Sequence, residues 1–275
     1  VPAGVDQAAY VKAAFLADIT TGKASRPYIS KIDAVKILGT MLGGYNIQPL
    51  IECLKDNELA EAAAHVLSRT LLIFDAFNEI FELSKTNEHA KKVVEEWANA
   101  TWFTEKTDIE EQIKLTVYKV TGEINTDDLS PAPDAWSRPD IPLHALAMFK
   151  MPRTGLDDPL GTIEKLKEKG NPLVFVGDVV GTGSSRKSAT NSVLWHMGDE
   201  IPCIPNKKEG GYCFGGKIAP IFFNTLEESG AFPIEMDVSK MLMGQEIILE
   251  PLNGRVLDAN TKEVISEFKL KTDVL

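Results

Sequence analysis

The chain has few cysteines, no closely spaced cysteine pair and no long hydrophobic run. Cys53, Cys203 and Cys213 are the three cysteines in 275 residues, and no two of them form a Cys-x-x-Cys pair. We therefore expect neither a disulfide scaffold nor a metal or iron–sulfur site built from this chain alone, and we expect a cytoplasmic, reducing location. No apolar stretch reaches the length of a membrane span, so the sequence predicts no membrane partner.

Positive charge is also scarce. The chain has 29 Lys and Arg against 40 Asp and Glu, which gives a net charge of −11. Long-range electrostatics then disfavour nucleic acids and anionic membranes as partners, and an anionic substrate would need a local positive site. The first residue is Val1 rather than Met. We therefore expect a processed chain or a fragment.

Helical periodicity is what the first part of the chain does have. In residues 1–106, Asp6 and Ser30 stand where helix N-caps are expected, and two further helical patterns cover residues 59–84 and 88–103. Short helices joined by tight turns are typical of an antiparallel, solenoid-like array, although no clean repeat is visible. A plain helical bundle fits the same pattern equally well.

Two details of these helices are open to direct test. In the first helix, the spacing places Phe15 and Leu16 on the apolar face. Pro49 is expected to interrupt the helices rather than to lie inside one.

The second part of the chain changes to strand patterns. Strands are expected at residues 114–120, 171–180, 201–205 and 231–238, a hairpin or meander at 247–270, and helices at 162–168, 185–197 and 220–229. The glycine-rich stretch that begins at residue 206 is expected to be a mobile flap or a loop before a helix. We therefore predict an all-α domain at residues 1–108 and an α/β domain at residues 109–275.

The stretch GDVVGTGSSRKSATNS, residues 177–192, has the composition of a ligand-binding turn. Gly181 and Gly183 allow a sharp turn after a buried strand, and Ser184 or Ser185 would cap the next helix. Free N–H groups at that helix start and the planar guanidinium of Arg186 suit a carboxylate or a phosphate. The stretch matches none of GxxxxGK[ST], GxGxxG and GxSxG. A capped helix with solvent-facing serines is the plainer alternative.

A second stretch, GEINTDDLSPAPDAWSRPDIP at residues 122–142, is acidic and rich in proline. Long proline-braced loops either carry function or run over the surface. Arg138 is a candidate second anion ligand, or it pairs with a neighbouring aspartate. Asp127 and Asp128 would bind a metal or, more commonly, cap a turn.

Together these stretches resemble the swivelling domain of the aconitase superfamily. The motif GTGSSRKSA resembles its Gly-Ser-Ser-Arg turn, NTDDLSPAPDAWSRPD resembles the segment that carries a substrate-binding arginine, and KIAPIFFNTLEESGAFPIE resembles a later helix–turn–strand. A helical domain placed before the swivelling domain is similar to the bacterial aconitase B family. That resemblance implies a HEAT-like helical array followed by a β/β/α swivelling domain.

The resemblance also implies roles for individual residues. Ser184 would be the base that removes a proton next to a carboxylate. Arg138, Ser184, Ser185 and Arg186 would bind the substrate, a tricarboxylate such as citrate, isocitrate or cis-aconitate. The [4Fe–4S] cluster of the family would have its ligands outside this chain, in the core domains of a longer parent protein. We therefore expect the chain to be inactive by itself.

Two kinds of rival function remain open. One is a related hydro-lyase that acts on 2-methylisocitrate or isopropylmalate, although the free-standing isopropylmalate isomerase subunit lacks a helical domain. The other is an interaction module, because the resemblance implies homodimerisation through the helical domain and messenger RNA binding by the cluster-free form. The acidic balance and the lack of a basic aromatic stripe argue against strong RNA binding.

Overall fold

The structure is a computed structural model that describes residues 6–70, 74–105 and 109–272. The chain divides into two compact units, Val1–Thr107 and Asp108–Leu275. Each unit contains a hydrophobic core of its own. The boundary predicted after residue 108 adjoins residues 106–108, which lie outside the described residues.

The first unit is helical. Its described helices are α1 (Gln7–Thr20), α2 (Lys31–Gly39), α3 (Ile47–Cys53), α4 (Ala60–Ser68), α5 (Phe74–Ser84), α6 (Glu88–Ala98) and α7 (Thr101–Thr104). The Asp6 carboxylate accepts from the first N–H groups of α1, and the Ser30 hydroxyl accepts from Asp33 N–H of α2, so both predicted N-caps are confirmed. None of the helices in the described part of the chain is long and apolar enough to cross a membrane.

Two sequence predictions for this unit were wrong. Leu16 is buried, but the Phe15 side chain is 57% exposed, because α1 buries the face that carries Ala13, Leu16 and Ile19. Pro49 does not interrupt the helices but lies in the first turn of α3. Proline is tolerated there because the first N–H groups of a helix have no partner within the helix.

The second unit contains strands and helices in a mixed order. Its strands are β1 (Ile113–Asn125), β2 (Leu173–Thr182), β3 (Asp199–Ile201), β4 (Ile204–Glu209), β5 (Tyr212–Ile218), β6 (Phe232–Glu235), β7 (Glu246–Glu250), β8 (Arg255–Asp258) and β9 (Val264–Glu267). Its helices are α8 (Thr126–Leu129), α9 (Ile141–Ala145), α10 (Pro159–Lys167), α11 (Arg186–Met197) and α12 (Pro220–Glu228), with a 3₁₀ turn at Ala132–Asp134. The mixed α/β character predicted for this part of the chain is confirmed.

Seven of these strands form one sheet in the order β6-β5-β2-β1-β7-β8-β9, and β3 and β4 form a separate hairpin. The strands β1, β2, β5 and β6 pair in parallel, whereas β7, β8 and β9 continue as an antiparallel meander, as predicted. The parallel strands therefore end at one common edge of the sheet, which is where ligands usually bind in such sheets.

Side chains alternate between the two faces of the sheet. Tyr118 and Phe175 point into a core that includes residues of α10, α11 and α12. Leu115 and Val174 point into a second core that includes residues of β7 and β8. The central parallel strands are thus buried on both faces, which explains the continuous apolar run of β2.

Two loop predictions in this unit need correction. The strand expected at residues 201–205 is broken by a turn at Cys203, where φ is +65°, and this turn joins β3 to β4. The stretch expected to be a flap instead forms β4 and β5. Gly216 of β5 packs closely against β2, because a Cβ atom there would lie 2.6 Å from the carbonyl oxygen of Asp178. Glycine here marks close strand packing rather than mobility.

Candidate functional site

The glycine–serine turn, residues 181–186, lies at the carboxyl edge of the parallel strands. Gly181 has φ of +81° and Gly183 has φ of +109°. A Cβ atom on Gly181 would lie 2.2 Å from the Phe222 ring, and one on Gly183 would lie 2.4 Å from the Thr126 hydroxyl oxygen. The turn therefore needs glycine at both positions, for the backbone angle and for space.

Some of the backbone N–H groups expected to be free at this helix start already donate hydrogen bonds within the chain. Ser185 N–H donates to the Thr126 hydroxyl oxygen over 3.3 Å, and Arg186 N–H donates to the carbonyl oxygen of Ser184 over 3.0 Å. Ser185 occupies the N-cap position of α11, but its side chain makes no capping hydrogen bond. The anion site that the helix start offers is therefore smaller than the sequence suggested.

Unlike these N–H groups, three polar side chains of the turn have no partner in the described part of the chain. Within the described part of the chain, the hydroxyls of Ser184 and Ser185 and the guanidinium of Arg186 have no hydrogen-bond or ion-pair partner. Ser184 is exposed, and Ser185 and Arg186 are half-buried. The turn thus presents two hydroxyls and one cation on a constrained backbone.

Contacts between the ends of β1 and β2 hold this edge of the sheet together. The Thr182 hydroxyl donates to the Glu123 carboxylate over 2.7 Å, and Arg153 donates to the carbonyl oxygen of Glu123 and to the Asp128 carboxylate. Asn125 and Asp128 form a capping box at the start of α8. Asp128 therefore caps a turn, which was the commoner of the two roles considered for it.

Arg138 lies in a different environment, the arginine segment, which we define as residues 130–150. Its Nε lies 3.4 Å from Oδ1 of the buried Asp134, and one terminal nitrogen donates to the carbonyl oxygen of Leu143 over 3.1 Å. Lys150 donates to the same Asp134 oxygen over 2.8 Å. The pairing with a neighbouring aspartate, left open by the sequence, is present.

A histidine connects the start of the arginine segment to Arg138. One ring nitrogen of His144 lies 2.8 Å from the Ser130 hydroxyl, and the other lies 3.2 Å from the carbonyl oxygen of Arg138. With Nδ1 protonated, the ring donates to that carbonyl and accepts from the serine. These contacts fix the backbone that carries Arg138.

A cleft of about 280 Å³ lies between the arginine segment and α11. Arg138 and His144 line one side, and Ser188, Asn191 and Ser192 of α11 line the other. Arg186, which begins the same helix, is not among the residues that line this cleft. The structure thus brings Arg138 to the helix that follows the glycine–serine turn, although Arg186 at the start of that helix does not line this cleft.

Comparisons with known proteins agree with this layout. A family model described as the aconitate B N-terminal domain matches residues 1–103, and one described as the aconitate hydratase 2 N-terminus matches residues 115–275, more than half of the chain. The chain belongs to the aconitate hydratase B family. The resemblance inferred from the sequence motifs is thereby confirmed.

Curated relatives of this family match along the whole chain. The chain is 59% identical to aconitate hydratase B of Escherichia coli, over 100% of this chain and 33% of that protein. It is 51% identical to aconitate hydratase B of Helicobacter pylori, over 99% of this chain and 32% of that protein. The chain therefore spans about a third of the length of these relatives. A solved 3-isopropylmalate dehydratase from Methanocaldococcus jannaschii matches with a TM-score of 0.42 at 18% identity, over 58% of this chain and 83% of that one, which is too weak to support an inference.

The cysteines of this aconitate hydratase B family member do not form a cluster site in the structure. Cys53 is buried in the helical unit, Cys213 is buried in β5 and Cys203 is exposed. Burial raises the pKa of the Cys213 thiol to about 12, which disfavours the thiolate that ligates iron. Among the described residues, no three His, Cys, Asp or Glu side chains come together as metal ligands. The residues that the structure describes therefore do not fit an iron–sulfur cluster.

Sequence reasoning missed the contribution of Thr126. This residue is 1% exposed, and its hydroxyl oxygen contacts the glycine–serine turn. The only local signal was its place in NTDDL, where it reads as part of a helix cap. Its contact with Ser185 spans 59 positions of sequence, a relation that only the pairing of β1 with β2 creates.

Proposed function

We propose that this chain is part of an aconitate hydratase that interconverts citrate and isocitrate through cis-aconitate. The observation that carries the proposal is the match of the entire chain to proteins named aconitate hydratase B, at 59% identity to the first of them. The glycine–serine turn adds local support, because it offers unpaired hydroxyls and a guanidinium at a ligand-binding edge of the sheet. The remaining two thirds of the protein would complete the enzyme.

In this proposal Ser184 is the general base. In the net reaction, dehydration of citrate removes a proton and a hydroxyl group from neighbouring carbons, and the two are released together as water. Loss of the proton from the carbon next to a carboxylate builds negative charge on that carboxylate. A serine hydroxyl is a weak base unless its ionised form is stabilised. Arg186 and the N-terminus of α11 supply positive potential to the turn, and domains outside this chain would exclude water from the exposed Ser184.

Ser185, Arg186 and Arg138 bind the carboxylates of the substrate in this proposal. A planar guanidinium can donate two parallel hydrogen bonds to one carboxylate. Arg186 is available for this because it has no partner in the described part of the chain. Arg138 must share its charge with Asp134, so substrate binding there competes with an existing ion pair. The [4Fe–4S] cluster that the resemblance implies would be held outside this chain.

The experiment that tests this function measures cis-aconitate formation from citrate by the full-length, cluster-loaded enzyme. Ser184→Ala should lower kcat by at least about 100-fold, the usual scale for losing general base catalysis. Ser25→Ala, which changes an exposed serine of the helical unit, should leave the rate unchanged. Full activity of Ser184→Ala would refute the role of Ser184 as the base, and activity of this chain alone would refute the need for domains outside it. A full-length wild-type enzyme that forms no cis-aconitate would refute the proposed function. The same variants assayed with 2-methylisocitrate decide between the related substrates.

A second role is favoured by one observation on the helical unit, which we propose to be a HEAT-like array. Phe77 and Phe81 are 43% and 44% exposed and stack with ring centroids 6.0 Å apart, and Trp97 stacks on Phe77. Exposed aromatic groups are enriched in protein interfaces, so we propose that this unit forms a homodimer contact. Sedimentation of the full-length enzyme over a range of concentrations should show a dimer, which Phe81→Glu weakens. A monomer at every concentration would refute the homodimer contact. RNA is a less favourable partner for this unit, because the net charge of the chain is −11.

A further inference from the structure

We infer that Thr126 is a positioning residue for the proposed serine base. Its hydroxyl oxygen accepts from Ser185 N–H over 3.3 Å, and the peptide that carries this N–H is the one that links Ser184 to Ser185. Thr126 is 1% exposed, so it acts on a ligand only through the turn. The inference rests on the proposed function of Ser184 and identifies Thr126 as the group that positions the Ser184 hydroxyl.

The contact is enforced from both sides. Gly183 brings the turn against Thr126 so closely that a Cβ atom there would lie 2.4 Å from the threonine oxygen. On the other side, Thr126 is the first residue of α8, directly after the Asn125 cap, and its backbone carbonyl accepts from Ser130 N–H. The hydroxyl oxygen is thus held in place by its own helix and meets the turn at a fixed point.

The same contact explains why Ser185 caps α11 without using its own side chain. Where a serine caps a helix, its hydroxyl usually accepts from the backbone N–H two or three residues further along the chain. Here Thr126 accepts from the N–H of the N-cap residue itself, and the Ser185 hydroxyl makes no capping bond. A side chain from a neighbouring strand end thereby fixes the backbone and leaves both serine hydroxyls of the turn available to a ligand.

Catalytic groups must be held to within about 0.5 Å and 10–20° of their productive geometry, and a misplacement of about 1 Å can cost about 100-fold in rate. Without the Thr126 oxygen, the peptide between Ser184 and Ser185 gains freedom and the serine hydroxyl is aimed less well. Loss of the Thr126 oxygen should therefore lower kcat more than it changes KM, because in this proposal the buried Thr126 side chain does not contact the substrate. Thr126→Val removes the oxygen at nearly constant volume, and Thr126→Ser keeps the oxygen and removes only the methyl group.

The experiment compares both variants in the full-length, cluster-loaded enzyme. Thr126→Val should lower kcat by at least about tenfold and change KM less than about threefold, and Thr126→Ser should retain at least half of the wild-type kcat. Hydrogen exchange at the Ser185 amide should be faster in Thr126→Val and near wild type in Thr126→Ser. This exchange measurement does not depend on catalysis.

The outcomes separate this inference from the proposed function. Wild-type kcat in Thr126→Val, beside an inactive Ser184→Ala, would overturn the positioning role alone. Equal losses in Thr126→Val and Thr126→Ser would also overturn it, because the methyl group rather than the oxygen would then be responsible. Full activity of Ser184→Ala would refute the base role of Ser184 on which this inference rests, and a wild-type enzyme that forms no cis-aconitate would refute the proposed function itself.

Discussion

The glycine–serine turn and the arginine segment carry the two proposed substrate arginines in opposite ways. In the turn, the backbone is constrained by glycines and by Thr126, while the Arg186 side chain has no partner in the described part of the chain. In the arginine segment, the Arg138 side chain is itself bound, to Asp134 and to the carbonyl oxygen of Leu143. One region fixes the backbone and leaves the cation available, and the other fixes the cation.

This difference has a consequence for binding. A ligand at Arg186 gains a new charge-assisted hydrogen bond and loses only the water around the guanidinium. A ligand at Arg138 gains the same kind of bond but must weaken an ion pair that already exists. We therefore expect Arg186 to dominate affinity and Arg138 to refine orientation.

The largest expected effect tests the constrained backbone of the turn. Gly181→Ala should lower the free energy of unfolding by about 2–5 kcal/mol, because a left-handed residue with a side chain costs about 1–2 kcal/mol and forcing a methyl group against the core costs about 1–3 kcal/mol more. The neighbour in question is the fully buried Phe222. Chemical denaturation of this chain measures the loss.

Gly170→Ala is the matched control for that loss. Gly170 has φ of +79°, almost the same as Gly181, but a Cβ atom there would meet nothing within 4 Å. It should therefore lose only the backbone part, about 1–2 kcal/mol. Equal losses in the two variants would mean that the core relaxes around the new methyl group and that packing does not constrain the turn.

The next effect compares the two arginines directly. Arg186→Ala should lower kcat/KM for citrate by about 100-fold, and Arg138→Ala by about tenfold, in line with about 1.5–3 kcal/mol for hydrogen bonds to charged groups. The smaller loss is expected at Arg138 because Asp134 already neutralises part of its charge. Steady-state kinetics of the full-length enzyme provide the measurement. Lys12→Ala, on the exposed face of α1, should have no effect, and a larger loss at Arg138 than at Arg186 would reverse the comparison.

Much of the turn was predictable because its signals are local. The apolar run of β2, the glycines that follow it and the helix that starts near Ser185 each occupy a few consecutive residues, and each matches its predicted place. Local signals also predicted the β7–β9 meander and the caps at Asp6 and Ser30. Patterns of this kind are set by the backbone preferences of the residues themselves.

The rest depends on contacts between distant parts of the chain. Thr126 meets the turn only because β1 and β2 pair in parallel, and the glycines of β5 read as a loop because the strand beside them is invisible in the local sequence. The face of α1 was misassigned for the same reason, since an alanine-rich helix has apolar residues on more than one side and its neighbours decide which side is buried. Whether Arg138 paired with an aspartate was likewise open until the structure placed Asp134 beside it.

The smallest effect tests the ion pair of the arginine segment through its pH dependence. A hydrogen bond from Lys150, helped by the charges of Lys150 and Arg138, lowers the pKa of Asp134 below its ordinary value of 3.8 although burial opposes the shift. Because the folded-state pKa is the lower one, the stabilising contribution of Asp134 is complete above pH 3.8 and is lost as the pH falls through the folded-state pKa. The difference in unfolding free energy between wild type and Asp134→Asn should therefore be largest near neutral pH and shrink below pH 3.8.

Chemical denaturation of this chain from pH 7 to about pH 3 measures the difference in unfolding free energy between wild type and Asp134→Asn. Asp157→Asn is the control for the loss of one carboxylate, because Asp157 is exposed and has no partner in the described part of the chain. The same Asp134→Asn change in the full-length enzyme sharpens the comparison with the turn. If Asp134 competes with substrate for Arg138, the variant should bind citrate more tightly. If Asp134 instead holds Arg138 in its binding position, KM should rise while kcat stays the same. A constant stability difference across the pH range would show that Arg138 is not restrained by this carboxylate, and the contrast between the two arginines would then rest on Leu143 alone.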